Sequence, residues 1–197
     1  EQRSDSCWHF EYCPYFEEKN SWISIDTVHL TCLGYSILEV SGRMKILIIR
    51  NFPSYMSIKK NTYNIQEVGL ARAFVRKGHT CDILLWTDKE EELIELPVDG
   101  TEKTVRIFYK RGKTFLKNTV YPDLDNMIEQ YDVIQPCEYN QIQSWMLARK
   151  YPKKTTIFHG SYFSTFNKRY NIMCAVFDLF FTNSYVKNDT VFLANSV

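Results

Sequence analysis

From Met44 onward the chain alternates between short apolar runs and longer stretches with a helical period. Lys45–Arg50 (KILIIR) is a continuous apolar run, the pattern of a strand buried on both faces of a parallel sheet. A polar loop follows, and Thr62–Lys77 then reads as a helix whose apolar stripe is Ile65, Val68, Ala71, Phe74 and Val75. Asn61 or Thr62 suits its N-cap, and Gly78 suits the residue just past its end. Cys81–Trp86 (CDILLW) predicts a second strand, so these elements form a βαβ unit with a right-handed crossover. Further on, strands are predicted at Thr104–Tyr109, Asp132–Gln135, Thr155–Phe158 and Asp178–Thr182. The intervening helices are predicted at Tyr121–Tyr131, with Pro122 in its first turn, at Glu138–Tyr151, with Ile142, Trp145 and Met146 inward, and near Arg169–Val176. Six strands interleaved with helices predict an α/β fold: a Rossmann-like, open, mostly parallel sheet with helices on both faces.

Residues 1–43 lack this regularity. Trp8, Phe10, Tyr12, Tyr15, Phe16 and Trp22 lie scattered among acidic residues without a period. The domain is therefore expected to span 44–197. Two origins for the first 43 residues stay open: Met44 as the natural start with upstream sequence translated before it, or a genuine N-terminal extension.

Ligands of such sheets bind beyond the carboxyl ends of the strands. That draws attention to the loop 51–64, to Pro136–Asn140, to His159–Phe163 and to Thr182–Tyr185. The first loop has no glycine between Arg50 and Gly69, so it cannot easily turn beneath a pyrophosphate, which argues against a dinucleotide cofactor. No GxxxxGK[ST] loop occurs either. His159 follows an apolar strand and precedes Gly160, Ser161 and Tyr162; a histidine there can bond a substrate hydroxyl or carry a proton, or simply cap the strand end. Glu138 and Tyr139 fall at the equivalent place after the preceding strand, where they either face the crevice or open the next helix, with Glu138 favoured by its dipole. Asp88, at the head of an acidic run, reads as part of a solvated face.

Composition narrows the partners. A net charge of +1 gives no electrostatic case for nucleic acid. No apolar run approaches the roughly 20 residues of a membrane span, and a secretory leader is not evident at the start, so a cytoplasmic location is expected. The basic pairs and runs Lys168-Arg169 and Arg149–Lys154 suit peripheral contact with an anionic membrane, or plain surface charge. Six cysteines do not make a disulfide scaffold; Cys81, Cys137 and Cys174 sit in apolar stretches and read as small buried hydrophobes. Cys7, His9 and Cys13 lack the paired spacing of a zinc site, and no metal is expected.

The ordered set KILIIR, GLARAFVRKGH before a strand, YDVIQPCEYN and TTIFHGSY followed by DLFFTNSYVK resembles the N-terminal, acceptor-side domain of a family 4 glycosyltransferase, over about 150 residues. The resemblance implies half of a GT-B architecture, in which two Rossmann-like domains face each other across a cleft. It implies transfer of a sugar, with retention, from a nucleotide-sugar donor to a saccharide or lipid-linked acceptor, with no cofactor beyond the donor. His159 matches the family's histidine near the donor sugar, Gly160 is its loop partner, and Asn61, Thr62, Tyr63 and Asn64 occupy the loop bordering the cleft, where many members carry a glycine pair. The family's donor-binding motif belongs to a second domain, so these 197 residues alone are expected not to transfer sugar. That domain would come from further sequence or from a separate chain. Two other readings fit the same pattern: a non-catalytic saccharide-binding or subunit-pairing module, and part of a GT-B-fold sugar-nucleotide epimerase.

Overall fold

The computed structural model describes residues 42–53, 66–159 and 166–194. The KILIIR run forms β1 (Lys45–Ile49), and Leu47, Ile48 and Ile49 are fully buried, each worth about 1.5–3 kcal/mol of transfer free energy. The helix α1 (Gln66–Arg76) buries Val68, Ala71 and Val75, as its stripe predicts. Its expected first turn and N-cap, Asn61 or Thr62, lie outside the described residues. Gly78 ends the helix at φ +98°, with its own N–H on the Val75 carbonyl and the His79 N–H on the Phe74 carbonyl. Both bonds of a Schellman cap are thus present. The second strand, β2 (Thr80–Thr87), pairs in parallel with β1.

The acidic run leads into an element that the sequence pattern did not predict. β3 (Glu92–Pro97) pairs antiparallel with β4 (Thr104–Arg111), which itself lies parallel to β2. Exposed Glu92 and Glu95 and a terminal proline suit β3 to the sheet edge, where charge discourages further pairing. Asp88 is exposed, as expected. A small hairpin follows, β5 (Lys113–Phe115) and β6 (Asn118–Val120). The helix expected over Tyr121–Tyr131 shrinks to α2 (Asp125–Ile128). Tyr121 is held by its hydroxyl to the Arg50 carbonyl at 2.7 Å and by its N–H to Gln143 Oε1 at 3.0 Å, and Asp123 adopts φ +54°, which a helix cannot contain.

β7 (Val133–Pro136) then pairs in parallel with the other side of β1. Helix α3 (Ile142–Lys150) begins four residues later than expected, because Glu138 stands at φ +67° and Gln141 is extended. The first free N–H of α3 is met from outside: Ile142 donates to Asn118 Oδ1 at 2.9 Å. The buried face of α3 is Gln143, Ser144, Leu147 and Ala148; Met146, expected inward, is exposed, and Ile142 and Trp145 are only half-buried. Apolar spacing misplaced this face because two of its buried residues are polar and hydrogen-bonded.

β8 (Thr156–His159) pairs in parallel with β9 (Val191–Ala194). Between them run α4 (Lys168–Phe177), a π-helical turn (Asp178–Thr182) and α5 (Asn183–Lys187). The strand expected at Asp178–Thr182 is therefore a correction. Phe177, Phe181 and Tyr185 recur every fourth residue and pack together, so the run DLFFT continues a helix, and β9 takes the sixth parallel position. A short apolar run fits either state, and only its packing decides.

The principal sheet has the order β3-β4-β2-β1-β7. Isolated parallel bridges, Ile134 with Thr155 and Cys137 with Phe158, carry it on to β8 and β9. The parallel strands then run β4-β2-β1-β7-β8-β9, the doubly wound order, which reverses between β1 and β7. Right-handed crossovers on either side of a reversal place helices on opposite faces. Accordingly α1 covers a core of Ile46, Ile48, Ile83 and Ile107, and α2 and α3 cover a second of Leu47, Ile49, Leu84 and Ile134. The result is a mostly parallel α/β sheet of Rossmann-like type. Among the described residues, no helix is long and apolar enough to cross a membrane.

Candidate functional site

The reversal opens a crevice beyond the carboxyl ends of β1 and β7. The register sets Ile49 beside Pro136 and Cys137 beside Phe158. Two residues past the Ile49–Pro136 pair and one past the Cys137–Phe158 bridge, Asn51, Glu138 and His159 therefore come to the same edge of the sheet.

Strand alternation sends Arg50 toward α1 and Asn51 toward α3. Arg50 is buried, its guanidinium 4.3 Å from the centre of the Phe52 ring and 3.3 Å from Glu67 Oε2 in the first turn of α1. The thiol of Cys137 donates to the other oxygen, Glu67 Oε1, at 3.8 Å. Burial, then the negative charges of Glu67 and Glu138, push the Cys137 thiol well above its ordinary range. It remains protonated, so Cys137 is a donor in this crevice and not a thiolate nucleophile.

On the other side, Asn51 donates to Ser144 Oγ at 2.7 Å, and Ser144 donates to the Glu138 carbonyl at 2.7 Å. The Glu138 N–H donates to the Phe158 carbonyl at 2.6 Å. These bonds hold Glu138 in its left-handed conformation, which costs a non-glycine residue ~1–2 kcal/mol. Glu138 is half-buried at the crevice and is no part of a helix. Tyr139 lies buried in a third core cluster, edge-on to Phe177, and its carbonyl accepts from Tyr185 Oη at 2.7 Å, so its ring serves packing. Behind Glu138, Asn140 Nδ2 meets Cys174 Sγ at 3.2 Å, and Tyr170 joins both. Burial, with the nearby Cys174 and Glu138, pushes the Tyr170 hydroxyl up and keeps it protonated.

Of the residues singled out from the sequence, the structure brings Glu138 and the backbone of His159 to one edge. His159 is the last residue of β8, opposite Ala194. Asn61, Thr62, Tyr63 and Asn64, and Gly160, Ser161 and Tyr162, lie outside the described residues, as do Cys7, His9, Cys13 and Cys32. Sequence reasoning missed Arg50, Asn51, Glu67 and Ser144. The signal for the first two was a charged and an amide residue directly closing the apolar run of β1. Nothing local marks Glu67 or Ser144, which are surface-type residues drawn in by their helices.

Three polar atoms at this edge, Arg50 Nε, Asn51 Oδ1 and Asn140 Oδ1, are buried without a hydrogen-bond partner among the described residues. Each such atom costs about 1–3 kcal/mol unless something meets it. Among the described residues no group of three or more histidine, cysteine or acidic side chains is placed to hold a metal ion. No protein-family model matches the sequence, and no curated protein matches it.

The edge thus offers a guanidinium, two carboxylates, amides and protonated hydroxyl and thiol donors. That mixture suits a ligand rich in both hydroxyl donors and acceptors. It is poorly suited to covalent catalysis through sulfur.

Proposed function

We propose that this domain forms the acceptor-side wall of a retaining glycosyltransferase of GT-B type, which moves a sugar from a nucleotide-sugar donor to a saccharide or lipid-linked acceptor. The observation that carries the reading is that polar side-chain atoms on both faces of the strand reversal, Arg50 Nε on the α1 side and Asn51 Oδ1 on the α3 side, are buried without a hydrogen-bond partner among the described residues. A saccharide presents hydroxyl donors and acceptors around its rim and suits an edge of such mixed polarity. The glycine-free turn after β1 favours a ligand held by side chains over a pyrophosphate cradled on the backbone. The sequence resemblance assigns His159 to the reacting side of the cleft, and the register sets it one strand from Glu138. In this reading Glu67 and Glu138 accept acceptor hydroxyls and Arg50 orients the ring. His159 bonds the transferred sugar. The donor is held by a second domain, in further sequence or in a separate chain, because a transferase cleft needs two walls to hold its reactants in line and exclude water. This wall by itself is expected not to transfer sugar.

The test is saturation-transfer NMR on the full chain with a panel of oligosaccharides, water-soluble lipid-linked saccharide analogues and nucleotide sugars. Saccharide acceptors are expected to bind. Glu67→Gln and His159→Ala are expected to weaken them about tenfold, the worth of one hydrogen bond to a charged group, with circular dichroism unchanged. Binding of no saccharide, or equal binding by both variants, overturns the reading.

A further inference from the structure

The β5–β6 hairpin carries a turn its own sequence does not favour. Phe115 pairs with Asn118, so Leu116 and Lys117 are the two loop residues, and they stand at φ +45° and +65°. Such a turn selects Asn-Gly or Asp-Gly, because both positions need the left-handed region. The fold takes nothing in return from Leu-Lys. Phe115 and Leu116 are each 68% exposed, and Lys113, Thr114 and Lys117 are exposed too. A disfavoured conformation filled with side chains left mostly exposed points to a role outside the fold.

The base of the hairpin, by contrast, is fixed. Trp86 Nε1 donates to the Gly112 carbonyl at 3.1 Å, and Thr119 N donates to the Asn51 carbonyl at 2.8 Å. Asn118 caps α3. A Cβ on Gly112 would lie 2.7 Å from the Thr119 methyl, so β5 and β6 are tightly apposed where they leave the body. The tip is therefore a rigid apolar wedge standing beside the crevice.

Its charge is one-sided. No acidic residue occurs between Glu102 and Asp123. Lys110 Nζ is 3.8 Å from Glu91 Oε2 and is partly neutralised, while Arg111 gives its backbone N–H to Glu91 Oε1 and its Nε to the Lys89 carbonyl. Lys113 and Lys117, which bracket the wedge, have no acidic partner among the described residues. Two adjacent apolar side chains between two unpaired lysines match the interface of a bilayer with anionic headgroups, where the apolar pair enters the acyl boundary and the ammonium groups meet the phosphates. A nucleic-acid strand is the poorer fit, since Leu116 has no ring on which a base can stack and the net charge is only +1.

We infer that the Lys113–Val120 hairpin docks the carboxyl edge of the sheet onto an anionic membrane, with Phe115 and Leu116 inserted. The readout is lipid binding alone, so this stands or falls separately from the sugar-transfer reading. The experiment is co-sedimentation of the full chain with phosphatidylcholine vesicles and with phosphatidylcholine–phosphatidylglycerol vesicles. The expected result is binding at least about tenfold stronger to the anionic vesicles, weakened by salt. Phe115→Ser is expected to lower it about tenfold, the scale of removing one inserted aromatic. The double change L116N/K117G supplies the residues the turn prefers, so it is expected to hold or raise the thermal midpoint while vesicle binding falls. Equal binding to both vesicles, or retention of binding by both variants, overturns the inference. So does capture of a single-stranded oligonucleotide in preference to anionic vesicles.

Discussion

At the residue scale, the clearest lesson comes from the buried charges, because each shows a different way of meeting the cost of burial. Asp82 is fully buried in β2, yet Arg106 forks onto it, with Nη2 at 2.5 Å and Nε at 3.1 Å, and Tyr131 donates to it at 2.6 Å. This network lies near the amino ends of the strands, away from the crevice, and is a matter of stability. Arg106→Met leaves the carboxylate with one donor fewer on each oxygen and is expected to cost about 2–3 kcal/mol. That is below the ~3–5 kcal/mol of a fully buried pair, because the Arg106 side chain is 42% exposed. Tyr131→Phe is expected to cost about 1 kcal/mol. Urea unfolding checks both, and an Arg106→Met loss no larger than that of a surface pair would show the network to be solvated. At the crevice the accounting differs: Arg50 and Glu67 are paired, but Arg50 Nε has no hydrogen-bond partner among the described residues, and the proposed ligand site rests on that. None of these pairings could be read from the sequence, since Asp82 and Arg106 are 24 residues apart and Asp82 and Tyr131 are 49 apart.

At the scale of elements, local pattern succeeded where one periodicity dominated and failed where tertiary partners intervened. The stripe of α1 and its glycine cap were legible because apolar spacing and turn chemistry agree there. The hairpin was not, because Leu116-Lys117 carries no turn signal, and α2 was over-extended because Asp123 carries no mark of its left-handed conformation. Helix α4 and the turn after it expose Ile172, Val176, Leu179 and Phe180 while burying Cys174 and Phe177, so their apolar residues show no single face. That two-sided character disguised DLFFT as a strand. Gly112 is where an element-scale prediction is sharpest. Its replacement by alanine presses a methyl against Thr119, which is itself buried, and against Tyr121 at 3.2 Å. The expected cost is about 1–3 kcal/mol, the range for overpacking, measured as a lowered thermal midpoint. An unchanged midpoint would mean that the two strands can part at no cost.

At the scale of the whole molecule, the first strand starts at Lys45, and Met44 is already engaged, its carbonyl accepting from Thr80 at 2.9 Å. A chain begun at Met44 is therefore expected to fold with its unfolding temperature changed by less than about 4 °C, equivalent to roughly 1 kcal/mol for a domain of this size. Thermal unfolding of that shorter chain decides the matter, and insolubility would show that residues before Met44 belong to the fold. The sequence by itself determined the fold class, five of the six parallel strands, the face of α1 and its cap. Continuous apolar runs and helical spacing are local properties, and burial enforces them wherever the chain goes. It also marked Glu138 and His159 as strand-end residues. The tertiary structure alone decided the strand order, the antiparallel edge strand, the hairpin and the company that Glu138 keeps. Those depend on which segments meet across 17 to 93 residues of chain, as Arg50 meets Glu67 and Asn51 meets Ser144. No local pattern encodes such meetings, because the residues involved are polar, and polar residues signal burial only once their partners are in place.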